Sequence, residues 1–504
     1  MAGKVIIVGA GIAGLATGSY LQANGFETRI FELHSIAGGL CTGWKRGGYT
    51  VEGCIHWLVG SSPKSYLYPT WQEIVDLKQF DFVDHDVYTT YHSADGKQIV
   101  FYTDIHKLEA ELLQKAPEDA AAIRDFTKTL HLLAGIHLPK LKNTFVANAF
   151  QNIRFIVGSF SKLGVLNKYM KMTEREYSLK FKNPTLRKAM ESLFMPDMAV
   201  FFSMFTLAWM HNRESGYPLG GSLKLIAGIE SAYRKRGGVI HFNKRVKTIL
   251  TGNGMATGIV TEDGTTEYAD YVVSAADGYD TLNNMLGGRF TGPALKKAYD
   301  SLALFPSYIQ VSLGVRKVFN NLNTANLVVE LKEPIRIDDD TLCSAFGLTV
   351  HNFDPTLSPA GSTLIRTFIG TYNHAYWTNL RKSNYQAYVS AKKRIGEAIV
   401  EEIEKVLGPL ADEIEMTDVS TPATVIRYTN NWKGSMEGWL LTPSVGLKPM
   451  NNTLKGLGNF YMAGQWVQPG GGLPAGLMTG RKVAMDICRK EGIPFRTPET
   501  DVEM

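Results

Sequence analysis

The chain has 504 residues, of which 44% are apolar and 20% charged, and its formal net charge is +5. This length allows two or three domains around a large core, and the apolar content argues against a disordered chain. No stretch of about 20 uncharged apolar residues is present, so a transmembrane helix is not predicted. The cysteines, Cys41, Cys54, Cys343 and Cys488, form no C-x-x-C pair. We therefore expect a cytoplasmic protein without a disulfide framework or metal site.

The first predicted elements are an apolar strand, KVIIV, a glycine-rich turn, GAGIAG, and a helix that ends before Gly25. The turn has the G-x-G-x-x-G spacing of a dinucleotide-binding fingerprint. In that fingerprint Gly9 permits the tight turn, Gly11 admits the pyrophosphate, and Gly14 lets helix and strand pack closely. The next strand, ETRIFEL, brings Glu32 to the distance from the turn at which a carboxylate binds the adenosine ribose. The predicted cofactor contacts here are Gly9, Ala10, Gly11, Ile12, Ala13, Gly14, Glu32 and Leu33.

A basic segment follows in the first half of the chain. Residues 131–190 contain 11 Lys or Arg and two Glu, a net charge of +9, which leaves −4 for the remainder. Within it, TFVANAFQNIRFIVGSFSKLGVLNKYMKM alternates apolar and basic residues, as expected either for contact with an anionic membrane surface or for a solvated amphipathic helix pair. No nucleic-acid-binding module accompanies the charge, so no nucleic-acid partner is predicted. The stretch Leu193–Met210 is interpreted as a buried core helix, with the lining of an apolar cavity as the alternative.

The last third of the chain contains a second glycine run between a strand, FYMAGQW, and a helix, LPAGLMTGRKVAMDICRK. Pro474 suits the first turn of this helix, and Gly470 to Gly472 would leave room for a flat ring system. A helix N-terminus stabilises negative charge in front of it, typically by about 0.3 to 2 kcal/mol. The runs PSYIQVSLGV, NLVVEL and STLIRTFIGTY predict the sheet of a separate substrate domain.

Together these segments resemble the phytoene desaturase, carotenoid isomerase and retinol saturase branch of the amine oxidase superfamily. The resemblance covers residues 4–60, 216–285 and 420–490, including ELHSIAGGLCTGW, EGCIHWLVG and TPATVIRYTNNWKGSMEGW. It implies an α/β fold, with a Rossmann-like FAD-binding domain of the GR2 type and an inserted α+β substrate domain. The implied FAD-binding domain comprises 1–60, 216–285 and 455–492, and the substrate domain comprises 61–215 and 286–454, with a helical, membrane-facing region at 131–215.

The resemblance also assigns further residues to the cofactor. The backbone of the glycine doublet and of the segment after it would lie beside the ribityl chain and the ring of the flavin. Val246 would contact the adenine. The residues so implied are Gly39, Leu40, Ile55, His56, Val246, Gly464, Gln465, Gly472, Leu473 and Pro474. Leu40 stands where relatives often have arginine, and Gln465 replaces a common acid. His56 is the candidate catalytic residue, with a purely structural histidine as the alternative.

The implied function is that of an FAD-dependent desaturase, saturase or isomerase, which exchanges hydride between flavin N5 and the carbon chain of an apolar polyene or isoprenoid lipid. No second strand-GxGxxG-helix unit occurs, so electrons would leave to oxygen or a quinone, or the reaction would be redox-neutral. Two alternatives remain open. One is an amine oxidase-like or fatty-acid double-bond enzyme on the same scaffold, and the other is a non-catalytic lipid-binding flavoprotein. Peripheral membrane association is the alternative to a purely cytoplasmic location.

Overall fold

The computed structural model describes residues 2–136, 140, 142–143, 160–320, 322, 325–446 and 449–498. At its centre lies a five-stranded parallel sheet, here called the cofactor sheet. Its strands, in spatial order, are Val239–His241, Glu27–Phe31, Lys4–Val8, Tyr271–Ser274 and Phe460–Met462. Three distant parts of the chain therefore contribute to one parallel sheet, which confirms the predicted α/β class and its Rossmann-like core.

The register of the cofactor sheet explains where the glycine runs meet. Val8 pairs with Phe31 on one side and with Ser274 on the other, and Ser274 pairs with Met462. Because the strands are parallel, the residues that follow them all emerge at the same edge. That edge gathers the first glycine turn, Glu32 and the C-terminal Ala-Gly pair.

Two helices pack against each other beside this sheet. Ile12–Ala23 begins at the first glycine turn, and Gly472–Lys490 begins at the second glycine run. A methyl group added at Gly480 would lie 2.7 Å from the Ala13 carbonyl oxygen. The two helices can therefore approach this closely only because glycine occupies the contact. The N-terminal helix ends at Asn24, as the Asn-Gly pair predicts.

The second large sheet has seven strands and is here called the substrate sheet. Its strands, in spatial order, are Ile414–Ser420, Ser307–Val315, Thr363–Thr371, Leu342–Val350, Asn326–Arg336, Val87–His92 and Gln98–Tyr102. The pairs are antiparallel except that of Asn326–Arg336 with Val87–His92. The three runs predicted for the substrate sheet all lie in it. The long helix Tyr385–Leu407 covers one face through Ile395, Ile399 and Ile403.

The remaining described elements surround these two sheets. Smaller sheets are formed by Val246–Gly252, Met255–Thr261 and Thr266–Tyr268, by Gly43–Arg46 and Tyr49–Glu52, and by Leu58–Val59, Ser215–Pro218 and Phe82–Val83. The other α-helices are Tyr68–Gln72, Ile105–Lys115, Ala120–Ala134, Phe160–Met170, Glu174–Ser178, Pro184–Glu191, Phe201–His211, Gly221–Lys235, Gly278–Asp280, Pro293–Ser301, His374–Ser383 and Pro422–Thr429. Short helical turns are Leu77–Gln79, Pro117–Asp119, Thr281–Met285, Ala411–Glu413 and Trp432–Gly434.

Two further sequence predictions concern the segments 144–172 and 193–210. Residues 144–159, most of the predicted interfacial stretch, lie outside the described residues. Both interpretations of Leu193–Met210 apply, because residues 193–196 line a cavity while the helix Phe201–His211 buries Met204 and Leu207. No helix among the described residues is long and apolar enough to cross a membrane. The strands of the two large sheets fall within the predicted FAD and substrate segments, although the domain boundaries themselves stay a prediction.

Candidate cofactor and substrate site

A cavity of about 910 Å³ connects the edge of the cofactor sheet with the substrate sheet. At one end it is lined by residues of both glycine runs, among them Gly9, Gly11, Gly464 and Gly472. At the other end its walls come from the substrate sheet and from residues 193–196. A molecule that spans the cavity would therefore contact both glycine runs and still face the substrate sheet.

The first glycine turn leaves open space where a pyrophosphate is predicted. Gly9 has φ +97°, a conformation that favours glycine, and a methyl group at Gly14 would lie 2.0 Å from the Gly9 oxygen. At Gly11, by contrast, an added methyl group would meet only the Gly38 oxygen, at 3.8 Å. Gly14 therefore serves the packing of helix on turn, whereas Gly11 lines open space at a helix N-terminus, where anions bind.

Glu32 both lines the cavity and fixes the glycine turn. Its carboxylate accepts a hydrogen bond from the Ala10 amide at 2.7 Å and one from the His34 amide at 2.8 Å. Burial raises the pKa of Glu32 above its ordinary value, although these amides oppose the shift. The carboxylate thus stands at the end of its strand, where a ribose-binding acid is predicted, and Leu33 follows it in the cavity wall.

The glycine doublet folds back onto the first turn. The Gly38 amide donates to the Ala10 carbonyl at 2.9 Å, and Gly38 and Gly39 have φ +125° and +62°. A side chain on Gly38 would collide with the Cys41 carbonyl, at 2.3 Å. Gly39 and Leu40 consequently line the cavity together with Gly11, and their contact with a flavin stays a prediction.

The second glycine run turns a helix N-terminus toward the cavity. Gly470, Gly471 and Gly472 have φ +86°, +52° and +79°, so all three adopt conformations that favour glycine. The helix begins at Gly472 with Pro474 in its first turn, as predicted. A methyl group at Gly472 would contact only the Pro474 ring, at 3.7 Å, so space remains open in front of the helix. Gly472 and Leu473 line the cavity, and so do Gly464 and Gln465 before them.

His56 lies in the cavity wall beside a buried arginine that sequence analysis missed. The Arg366 side chain is 1% exposed, its Nη1 donates to the Glu52 carbonyl at 3.1 Å, and its Nη2 lies 3.2 Å from His56 Nδ1. Burial, followed by the charge of Arg366, lowers the pKa of His56 well below its ordinary value. His56 is therefore a neutral acceptor from Arg366, which favours the structural alternative over a catalytic acid. The only signal for Arg366 is one charge within the apolar strand STLIRTFIG.

Two carboxyl groups in the cavity wall were also missed, the buried Asp277 and the half-buried Glu437. Asp277 accepts hydrogen bonds from the amides of Asp280 and Trp432, at 2.7 and 2.8 Å, and burial raises its pKa to about 7. Glu437 lines the same cavity, and burial raises its pKa to about 7 as well. Asp277 ends the motif VVSAAD and Glu437 lies in GSMEGW. Neither spacing indicates burial, which arises only from segments that fold over them.

Part of the cavity wall next to the substrate sheet is aromatic and apolar, whereas Arg175, Lys188, Glu191 and Glu330 form ion pairs elsewhere in the wall. Tyr308 and Phe368 stack with ring centroids 4.4 Å apart. Trp57 and Phe194 pack edge to face with ring centroids 6.3 Å apart. Met195, Met436, Phe305 and Phe346 add further apolar surface. Such a wall suits a long apolar molecule better than a charged one, because a charged group would lose its hydration without gaining a partner.

Five predicted cofactor residues lie outside this cavity wall, although four of them adjoin it in sequence. They are Ala10, Gly14, Ile55, Pro474 and Val246. Val246 is 4% exposed and packs in the core with Val8 and Phe31. Its contact with an adenine stays a prediction. Within the described part of the chain, no group of His, Cys, Asp or Glu side chains could hold a metal ion.

Comparisons with known proteins agree with this geometry. The family described as flavin containing amine oxidoreductase matches residues 12–488. The chain is 22% identical to a chloroplastic prolycopene isomerase of Arabidopsis thaliana, over 96% of this chain and 82% of that protein. It is 24% identical to the neurosporene-forming phytoene desaturase of Rhodobacter capsulatus, over 96% of this chain and 94% of that protein. The structure of an oxidoreductase from Methanosarcina mazei is similar with a TM-score of 0.62 and 18% identity, over 96% and 100% of the two chains, and so shares the fold.

Proposed function

The chain belongs to the flavin-containing amine oxidoreductase family and is an FAD-dependent oxidoreductase, and we propose that its substrate is an apolar polyene or isoprenoid lipid. The reaction would desaturate, saturate or isomerise carbon–carbon double bonds in that chain. The observation that carries this proposal is the cavity, which joins both glycine runs to an aromatic, apolar wall. Relatives named as a prolycopene isomerase and a phytoene desaturase support the same substrate class.

The residues present fit FAD at the glycine end of the cavity. Open space beside Gly11 would admit the pyrophosphate, Glu32 would hold the ribose, and the helix that begins at Gly472 would face the ring. When bound, the flavin supplies a centre that accepts or donates hydride. The N-terminus of this helix favours negative charge in front of it, and so assists reduction.

The apolar end would orient the substrate. The Tyr308–Phe368 stack and the Trp57–Phe194 pair provide flat surfaces along which a conjugated chain can lie. These walls also exclude water, and hydride transfer depends mainly on such orientation and dryness. The guanidinium of Arg366 holds the His56 ring in place at the border between the two ends.

The test is anaerobic incubation of the flavin-loaded protein with polyenes, with flavin absorbance and product analysis followed together. Bleaching with product supports desaturation, whereas isomerised product without bleaching supports the redox-neutral reaction. Turnover of amines or unsaturated fatty acids instead of polyenes would support the alternative enzymes, and binding of polyene without any product would support a lipid-binding flavoprotein.

A matched pair of variants makes this test specific to the cavity. Phe194→Asp introduces a charge into the apolar wall and should abolish polyene binding while FAD stays bound. Tyr385→Asp changes a side chain that is 62% exposed and outside the cavity, and should bind polyene normally. Equal polyene binding by both variants would remove this cavity as the substrate site.

We further propose an anionic membrane surface as the source of the lipid, and oxygen or a quinone as the electron acceptor if the reaction is an oxidation. Arg175 and Lys188 belong to the basic segment and also line the cavity, where their side chains are 56% and 59% exposed. Electrostatic attraction to anionic vesicles should weaken with salt. Sedimentation with anionic and neutral vesicles tests this, and equal pelleting with both would contradict it.

A further inference from the structure

Glu437 is held against the start of the C-terminal helix. The Phe305 amide donates to the Gly438 carbonyl at 2.9 Å, and the Gly470 amide donates to the Trp439 carbonyl at 3.1 Å. A methyl group at Gly471 would lie 2.4 Å from the backbone carbonyl oxygen of Glu437 and 2.6 Å from the Glu437 Cβ. The backbone at Glu437 is thus fixed between the substrate sheet and the glycine run that faces the predicted flavin ring.

The side chain of Glu437 differs from the other carboxyls of the cavity wall in having no partner. Glu32 and Asp277 each accept two backbone amides, while Glu191 and Glu330 form ion pairs with Arg175 and Lys188. Among the described residues, no hydrogen bond or ion pair reaches the Glu437 carboxyl. The half-buried Glu437 carboxyl thus faces the cavity without a hydrogen bond from the described residues, and protein packing does not explain its presence there.

The surroundings of Glu437 allow both of its protonation states near neutral pH. Burial alone raises its pKa to about 7, and no neighbouring charge contributes to the shift. The charge of Glu437 contributes to raising the pKa of the Cys54 thiol, which lies well above its ordinary value, so this thiol stays neutral. The guanidinium of Arg366 and the neutral His56 ring lie in the same cavity wall. A proton-transferring group is most effective when its pKa lies near the working pH.

We propose that Glu437 is a catalytic residue that exchanges a proton directly with the carbon chain of the substrate. This inference rests on the proposed function and adds the proton-transferring group to it. In desaturation, one carbon loses hydride to the oxidised cofactor with both electrons of that C–H bond. The adjacent carbon loses a proton to the Glu437 carboxylate, and the electrons of this second C–H bond become the new double bond. Saturation is the reverse, with the Glu437 carboxylic acid as proton donor.

The test compares Glu437→Gln with Glu437→Asp and with Glu401→Gln as the matched control. Glu401 is exposed on the helix Tyr385–Leu407 and lies outside the cavity wall. Glutamine keeps the shape of the side chain, so FAD content and polyene binding, measured by tryptophan fluorescence, should match the wild type. Turnover should fall about 10²- to 10⁴-fold in Glu437→Gln, recover in part in Glu437→Asp, and stay unchanged in Glu401→Gln.

Two readouts separate proton transfer from a merely structural role. In heavy water, wild-type protein should carry deuterium into recovered substrate, and Glu437→Gln should not. Infrared difference spectra of the holoenzyme should contain two carboxylic acid contributions that titrate near pH 7, from Glu437 and Asp277, and only the Asp277 contribution should remain in Glu437→Gln. An equally fast Glu437→Gln variant beside an active wild type, or deuterium incorporation by this variant, would overturn this proposal alone. A wild type that converts no polyene would overturn the proposed function, and this proposal with it.

Discussion

Gly11 and Gly14 lie three residues apart in one turn, yet an added methyl group should affect them in different ways. At Gly14 the methyl carbon would lie 2.0 Å from the Gly9 carbonyl oxygen, so the helix or the turn must move. At Gly11 the nearest protein atom would be 3.8 Å away, and φ of −71° suits any residue. Gly14→Ala should therefore damage the fold, whereas Gly11→Ala should damage only the binding of the cofactor.

The magnitudes follow from opposing contributions. Alanine is favoured over glycine within a helix by about 1 kcal/mol, but overpacking typically costs about 1 to 3 kcal/mol, and more when rigid backbone must move. Because the Gly9 oxygen is backbone, we expect Gly14→Ala to lose about 2 kcal/mol of unfolding free energy. Gly11→Ala should lose under about 1 kcal/mol, since alanine is a poorer N-cap than glycine. Its affinity for FAD should fall at least tenfold, which corresponds to about 1.4 kcal/mol.

Gly164→Ala provides the matched control, because Gly164 lies in the helix Phe160–Met170 and no atom of the described residues lies within 4 Å of an added methyl group. It should gain about 1 kcal/mol. Urea denaturation of the flavin-free proteins measures the stabilities, and fluorescence titration measures the affinity for FAD. Gly14→Ala as stable as Gly164→Ala would refute the packing argument. Normal affinity of Gly11→Ala would refute the placement of the pyrophosphate.

Three other predictions concern the second glycine run and the buried charges. Gly472→Leu should retain FAD but lower the midpoint potential of the flavin. The decrease should be about 30 mV for each 1.4 kcal/mol by which the helix N-terminus no longer stabilises the reduced flavin. An unchanged potential in a titration against redox dyes would contradict this role of the helix N-terminus. Burial raises the pKa of Asp277 from 3.8 to about 7, so the free energy of unfolding should fall as pH rises through that window. Urea titrations at a series of pH values should show that Asp277→Asn removes on the order of 4 kcal/mol of this decrease. Glu73→Leu should cost about 3 to 5 kcal/mol, because it leaves Arg481, 2% exposed and 2.9 Å from the Glu73 carboxylate, buried without that ion pair. Replacing Arg481 with Met in the same protein should recover part of that loss, and a double variant less stable than the single one would contradict this account.

The features that sequence determined are those whose physical cause is local. Gly9 and Gly38 adopt positive φ, a demand of single turns that glycine meets without strain. The alternation from apolar strand to glycine turn to helix predicted the parallel sheet at Lys4–Val8 and the start of the C-terminal helix near Pro474. These patterns were enough to place both glycine runs at one edge of the sheet, because strand ends in a parallel sheet share one edge, and their contact with one cofactor stays a prediction.

The character of individual side chains in the site was decided by tertiary structure alone. Arg366 lies beside His56 although 310 positions separate them, and this contact makes the histidine a neutral acceptor. Glu437 and Asp277 owe their raised pKa values to burial by distant segments, which no local spacing encodes. Val246, assigned to the adenine by resemblance, packs in the core with Val8. Burial and solvation depend on which segments meet across the whole fold, whereas backbone conformation depends on adjacent residues.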